Sequence, residues 1–241
     1  MKHSGKTAIV TGAAGKCIGR STALTLARDG ANVVVNYRSG SEAFELVNYI
    51  RSQGGRAQAV KADIFIEKDC ERLIASTLED FGQIDMLIIG PGAGWHAEPI
   101  TKLKSEDAMD DMIREAAPLY YLIPPAINDM KKRNSGRIIG ISINARRPSP
   151  SISYNVSKSA RTSLLRHIAD DAWKHRITVN TICPSPVGEL ETLQEAIAHA
   201  NHEAPWQSRK SISPQDIAEG ISFLCSDEAG YITGCELNYD F

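Results

Sequence analysis

Thr7-Ala-Ile-Val-Thr11-Gly12-Ala-Ala-Gly15-Lys16-Cys17-Ile18-Gly19 decides the reading of this chain. Residues 7–11 have the apolar, β-branched character of a short buried strand, and residues 18–29 carry the periodicity of an amphipathic helix. Between them lies a cluster of glycine and alanine. Strand, glycine-rich turn and helix in that order form a unit whose small residues let backbone N–H groups approach a pyrophosphate at a helix N-terminus. The expectation is a dinucleotide-binding start to an α/β domain.

Working outward, strand-like runs recur at 32–36, 56–61, 86–90, 137–142, 178–182 and 236–239, each separated from the next by a helix-like stretch. Alternation of this kind predicts one α/β domain over residues 1–241: a doubly wound, Rossmann-like, seven-stranded parallel sheet with helices on both faces. Ligands then belong at the carboxyl ends of the strands. Residues 184–213 break the rhythm. Proline-flanked and carrying Trp206, they read either as a short helical insertion over the sheet edge, serving as a substrate lid, or as a surface connection.

Bulk properties narrow the class. The chain has 241 residues, 42% of them hydrophobic and 23% charged, with a formal net charge of −2, which gives no sequence-wide drive toward nucleic acid or anionic membrane. Apolar runs are strand-sized, too short to span a bilayer, and residues 1–6 lack the pattern of a secretion signal, so the expected location is the cytoplasm. Five scattered cysteines fit reduced thiols, and the histidines lack the spacing of a metal site.

Tyr154-Asn-Val-Ser-Lys158 supplies the chemistry. Positions four apart share one helix face, which places a phenol beside an ammonium. A free tyrosine titrates near ~10, and a fixed positive charge favours its phenolate, so the pair suits proton transfer to or from a carbonyl or alcohol.

Together these residues resemble the short-chain dehydrogenase/reductase family over nearly the whole length. Further matches are Asp63 after the third strand, Gly136-Arg-Ile-Ile leading the fifth, Val179-Asn180 with Pro184 after the sixth, and Ile232-Thr233-Gly234 near the end. The resemblance implies hydride transfer between a nicotinamide and a small-molecule carbonyl or alcohol. Tyr154 would be the acid–base, and Lys158 would lower its pKa and hold the nicotinamide ribose. Cofactor contacts are implied for Gly12, Ala14, Gly15, Lys16, Cys17, Ile18, Asn36, Tyr37, Arg38, Asp63, Ile64, Gly90, Pro91, Gly92, Pro184 and Val187, with Tyr154 and Lys158. Asp63 is implied as the partner of the adenine amine, although an aspartate after a strand is also a helix-capping residue. A homo-oligomer is implied as well.

Departures from the family pattern cluster at functional places. The glycine-rich turn is a residue longer than the common form, and Cys17 stands at its middle glycine, where a β-carbon would crowd a pyrophosphate unless the extra residue lifts that backbone away. Gly90-Pro91-Gly92-Ala93-Gly94 replaces a turn that usually carries asparagine amides. Ile143 stands where the carbonyl-orienting serine belongs. Ser142 can take that role only by a shift of register, with Ser149, Ser151 and Ser153 as further candidates. The relay asparagine of the fourth helix falls near Arg114 or Glu115, and Pro118, Pro124 and Pro125 predict a kink or break in that helix, which puts the usual dimer contact in doubt.

Asn36-Tyr37-Arg38-Ser39 lacks a carboxylate for the adenosine ribose. Arg38 offers a fork for a 2′-phosphate and Lys16 adds a second positive charge, which favours NADP over NAD. Trp95, His96, Arg146 and Arg147 fall at strand ends where substrate binds, the arginine pair being either solvated or a contact for an anionic group. The expected activity is that of an NADP-dependent ketone reductase, 3-oxoacyl reductase-like or related. The alternative is a catalytically impaired protein that binds the dinucleotide for sensing or assembly, motivated by the missing serine and asparagine.

Overall fold

Strand β1 (Thr7–Val10) sends Ala8 and Val10 into one hydrophobic core and Ile9 into another. The period-two geometry of an extended chain requires this when both faces of a sheet are covered. Strand β2 (Asn32–Tyr37) divides in the same way, with Val33 and Val35 on one side and Val34 on the other. Met86 and Ile88 of β4 (Met86–Ile89) likewise oppose Leu87 and Ile89. Each of these side chains is essentially inaccessible to solvent, and full burial of one Ile or Leu contributes about 2–3 kcal/mol.

The structure, a computed structural model, describes all residues except 96, 147, 148, 204–208, 210 and 241. His96, Arg147 and Trp206 therefore lie outside the described residues. The sheet has seven parallel strands, adding β3 (Ala57–Lys61), β5 (Gly136–Ile141), β6 (Ile177–Pro184) and β7 (Glu236–Tyr239), in the order β3-β2-β1-β4-β5-β6-β7. Ile9 pairs with Val34 on one side and Leu87 on the other, so β1 and β4 flank the point where the strand order reverses. A doubly wound sheet binds its ligand at that point.

Helices α1 (Ile18–Arg28), α2 (Glu42–Ser52) and α7 (Pro214–Leu224) cover one face; α3 (Glu67–Phe81), α4 (Ser105–Met130) and α5 (Ile152–Ala172) cover the other. One expectation is corrected. The three prolines leave α4 as one helix of 26 residues. Each proline costs about 3 kcal/mol in a helix interior, and burial of Leu119, Leu122, Ile123, Ala126 and Met130 against the sheet offsets it. The insertion after β6 carries, among its described residues, one helix that packs inward. Its helix α6 (Leu193–Ala200), started by a reciprocal Thr192–Glu195 cap, buries Ala196 and Ala200 in the core shared with α1 and α7. Among the described residues, no helix is long and apolar enough to cross a membrane.

Candidate active site

The glycine-rich turn is shaped by contacts that exclude side chains. Gly12 has φ +62°, and a β-carbon there would sit 2.5 Å from Pro91 Cγ; one on Gly19 would sit 2.6 Å from the Gly12 carbonyl oxygen. Gly12 N–H donates to Asn36 Oδ1 (3.2 Å), Ala13 N–H donates to the Asn36 carbonyl (3.0 Å), and Asn36 Nδ2 donates to the Ala62 carbonyl (3.0 Å). Thr11 Oγ1 accepts from Gly90 N–H (3.0 Å) and donates to the Ile88 carbonyl, binding the ends of β1 and β4 together.

In front of this turn lies a cleft of about 610 Å³. It gathers most of the sequence-assigned cofactor residues: Gly12, Ala14, Gly15 and Lys16 from the turn; Asn36, Tyr37 and Arg38 after β2; Asp63 and Ile64 after β3; and Pro91 and Gly92 after β4. Cys17, Ile18, Gly90, Pro184 and Val187 are not among its lining residues. Cys17 caps α1 and aims its sulfur at the Gly188 carbonyl (3.9 Å), so its side chain turns away from the cleft and the longer turn accommodates it. Ile18 packs against the core, Pro184 ends β6, and Val187 bridges to Ile212. Asp63 Oδ1 accepts from Phe65 N–H (3.1 Å), a local turn contact, while the residue also lines the cleft.

Lys16 differs from expectation. Its ammonium pairs with Glu191 at 2.5 Å, both groups more than half exposed, so its charge is shared with a carboxylate on the same rim. The strap carrying Glu191 is tied down twice more: Leu190 N–H donates to the Lys16 carbonyl (2.9 Å), and the Arg20 guanidinium donates to the Leu190 carbonyl. Arg20, only 5% exposed, also lines the cleft and leaves its Nε without a partner. Glu42 lines the wall beside Arg38. Sequence reading missed Arg20, Glu42 and Glu191. Arg20 and Glu42 open helices next to the two turns that were read, a signal that was available; Glu191 had none.

Across the turn 90–94 lies the second half. Tyr154 and Lys158 share the α5 face as expected, with Lys158 Nζ 5.4 Å from the centre of the Tyr154 ring. The ammonium is also 3.2 Å from Glu115 Oε1 of α4. Arg161 Nη1 contacts Glu115 Oε2 (2.8 Å) and donates to the Pro91 carbonyl (3.0 Å), while its Nη2 donates to the Ile89 carbonyl (2.8 Å). Ala93 N–H donates to Glu115 Oε1 (2.7 Å). Glu115 therefore occupies the region assigned to the relay asparagine, and Arg161 was not foreseen.

Within this wiring, burial and Glu115 act on the phenol in the direction opposite to that expected from Lys158. Burial, then the Glu115 carboxylate, push Tyr154 up to about 12, so the phenol keeps its proton at neutral pH. Burial and the Arg161 charge bring Lys158 down to about 8 against the opposing pull of Glu115. Burial would raise Glu115, yet Lys158 and Arg161 together hold it below the ordinary carboxylate range. Its negative charge persists between the two cations.

The register shift for Ser142 does not occur. Its hydroxyl donates to the Lys158 carbonyl (2.9 Å) and accepts from Thr162 Oγ1 (2.7 Å), spending it on the α5 backbone side. Among the further candidates, Ser149 bonds Asn155 and Ser153 donates to Asp111 (2.5 Å). Ser151 is buried with its hydroxyl unpartnered. Trp95 and Arg146 are exposed after β4 and β5.

The parallel sheet with its switch-point cleft, and a phenol–ammonium pair on the adjoining helix, define a nicotinamide-dinucleotide oxidoreductase of the doubly wound class. Residues 12–241 match the family model described as enoyl-(acyl carrier protein) reductase. An oxidoreductase of Thermotoga maritima is 32% identical, covering 100% of this chain and 98% of that protein. Glucose 1-dehydrogenase 2 of Bacillus subtilis is 31% identical over 98% and 94% of the two chains, and 7α-hydroxysteroid dehydrogenase of Escherichia coli is 30% identical over 97% and 92%. The solved structure of a 7α-hydroxysteroid dehydrogenase complexed with NADH and 7-oxoglycochenodeoxycholic acid superposes with a TM-score of 0.85 at 28% identity, covering 99% of this chain and 94% of that one. The chain belongs to the short-chain dehydrogenase/reductase family. The residues present fit the adenosine half of a dinucleotide, because the small residues Gly12, Ala14 and Gly15 line the cleft and Arg20, its Nε without a partner, stands at the wall.

Proposed function

We propose that this protein is an NADP-dependent reductase of ketone-bearing small molecules, 3-oxoacyl reductase-like or related. The observation that carries the reading is the Tyr154 phenol with the Lys158 ammonium 5.4 Å from its ring centre, across a shared turn from the cleft of about 610 Å³. Arg38 at the exposed rim would meet a 2′-phosphate, Asp63 and Ile64 would border the adenine, and the turn's N–H groups would face the phosphates. Bound NADPH supplies a hydride. Tyr154, protonated at neutral pH, gives its proton to the alkoxide oxygen that develops on the substrate, and Lys158 stabilises the phenolate left behind. With Ser142 turned away, orientation of the carbonyl rests on Tyr154 and on residues of the β5–α5 loop, where Ser151 holds a free hydroxyl.

Fluorescence titration with NADPH and NADH, followed by NADPH oxidation over a panel of ketones and 3-oxoacyl thioesters, tests the proposal. Tighter NADPH binding and turnover that disappears in Tyr154→Phe support it. NADPH binding without turnover of any panel member favours the second reading, a dinucleotide-binding protein with sensing or assembly as its role, for which the lost serine geometry speaks. A homo-oligomer is part of the proposal: packed side by side, α4 exposes Met109, Ile113 and Tyr120, and α5 exposes Ile152 and Val156. A cytoplasmic location is supported by five free thiols, and a substrate-lid role for the insertion 184–213 by the place of its Glu191 on the cleft rim.

A further inference from the structure

Arg161 heads the large side chains that are completely buried, and Glu115 is equally inaccessible. Removing a guanidinium from water is costly unless its donors are met, and here three elements meet them: the Ile89 and Pro91 carbonyls at the end of β4, and the Glu115 carboxylate from α4. Glu115 in turn takes the Ala93 N–H and the Lys158 ammonium. A single carboxylate thus joins the cleft's central turn to the catalytic helix. The turn 90–94 has no side-chain amide to hold it, and Arg161 reaches across from α5 to do so.

We propose that Glu115 and Arg161 are a positioning pair for Tyr154 and Lys158: Glu115 fixes the ammonium against the phenol ring, Arg161 fixes Glu115 and the turn, and their opposite charges set where the couple's protons reside. This rests on the reductase reading. The charged and titratable groups that face the couple are Glu115 from α4, Arg161 from α5, Cys17 from the glycine-rich turn and Cys183 from β6. Glu115 favours retention of a proton on both Tyr154 and Lys158, and Arg161 favours its release.

Carbon-13 NMR of the full chain labelled at lysine Cε, with Lys158 assigned by its loss in Lys158→Gln, reads this without substrate or cofactor. In the wild-type protein Lys158 is expected to titrate clearly below the other lysines. Glu115→Gln should lower that titration by about one pH unit and Arg161→Met should raise it by about one, with the double variant returning toward wild type. Arg161→Lys keeps the charge and loses the fork, so it should hold the titration near wild type while weakening NADPH binding measured by fluorescence. Shifts of the same sign in both single variants, or none, reduce the pair to a structural role and overturn the proposal. Thermal melts show which variants fold, and an ordinary lysine titration for Lys158 in the wild-type protein overturns the proposal even if none does. Failure of the wild type to bind either NADPH or NADH would overturn the reductase reading alone, since the titration is read on the free protein.

Discussion

On the β1 side of the cleft, shape comes from the backbone: Gly12 and Gly19 approach their neighbours closer than any β-carbon allows, and Asn36 and Thr11 tie the turn to the sheet. On the α5 side, position comes from charge: Glu115, Lys158 and Arg161 form a buried chain of ion pairs where neutral amides and a serine would be expected. A backbone cradle tolerates few substitutions but leaves neighbouring side chains free to vary. A charged one can be rebuilt, provided that each partner changes with the others. The longer glycine-rich turn with Cys17 departs from the family pattern on the first side, and the departures at 90–94, Ile143 and Glu115 fall where the second kind of construction operates.

The comparison breaks most visibly at Tyr154. Tyr154→Phe removes the only proton proposed for transfer, and kcat should fall about 10³-fold with NADPH affinity nearly unchanged, measured by steady-state kinetics and fluorescence titration. A residual rate near wild type would place the chemistry elsewhere. Next is Gly19→Ala on the backbone side. Its methyl group would sit 2.6 Å from the Gly12 carbonyl oxygen, a backbone atom that must shift, so denaturant unfolding should show a loss of about 1–3 kcal/mol and dinucleotide binding should weaken. Wild-type stability there would mean that the turn is softer than its contacts imply.

Arg38→Ala sharpens the comparison by acting on a side chain at the rim of the backbone cradle. NADPH affinity should drop about tenfold with NADH affinity unaltered, because one charge-assisted contact to a 2′-phosphate is lost. Equal loss for both nucleotides would remove the basis for NADP selectivity. The smallest effect is expected for Glu191→Gln, which frees the Lys16 ammonium on an exposed rim. A rise in NADPH affinity of about threefold, fading as salt increases, is the expected result.

Much of the fold was legible because the buried apolar runs of β1, β2, β4, β5 and β6, alternating with amphipathic helical stretches, read as strands of a sheet covered on both sides. Their ends shifted by no more than about one residue, except that β6 runs on to Pro184. The prolines of α4 misled because local propensity was weighed without the burial of Leu119, Leu122 and Ile123 that overrides it. In the site, Tyr154, Lys158 and the glycine-rich turn could be read because their spacing is local. The Glu115–Arg161 contact spans 46 residues and the Lys16–Glu191 contact 175, and only the strand order brings either pair together. Ser142 could not be resolved from sequence because the direction of one hydroxyl depends on where Thr162 stands.

Asn36 shows where this scaffold can be retuned. It stands one residue before the end of β2, beside Tyr37 and Arg38 on the cleft wall, yet its amide rivets the glycine-rich turn to the loop beyond β3. A substitution there pulls on two loops at once and is felt as unfolding before it is felt as selectivity. Redesign of a nucleotide preference belongs to Arg38 and Glu42, which border the same opening.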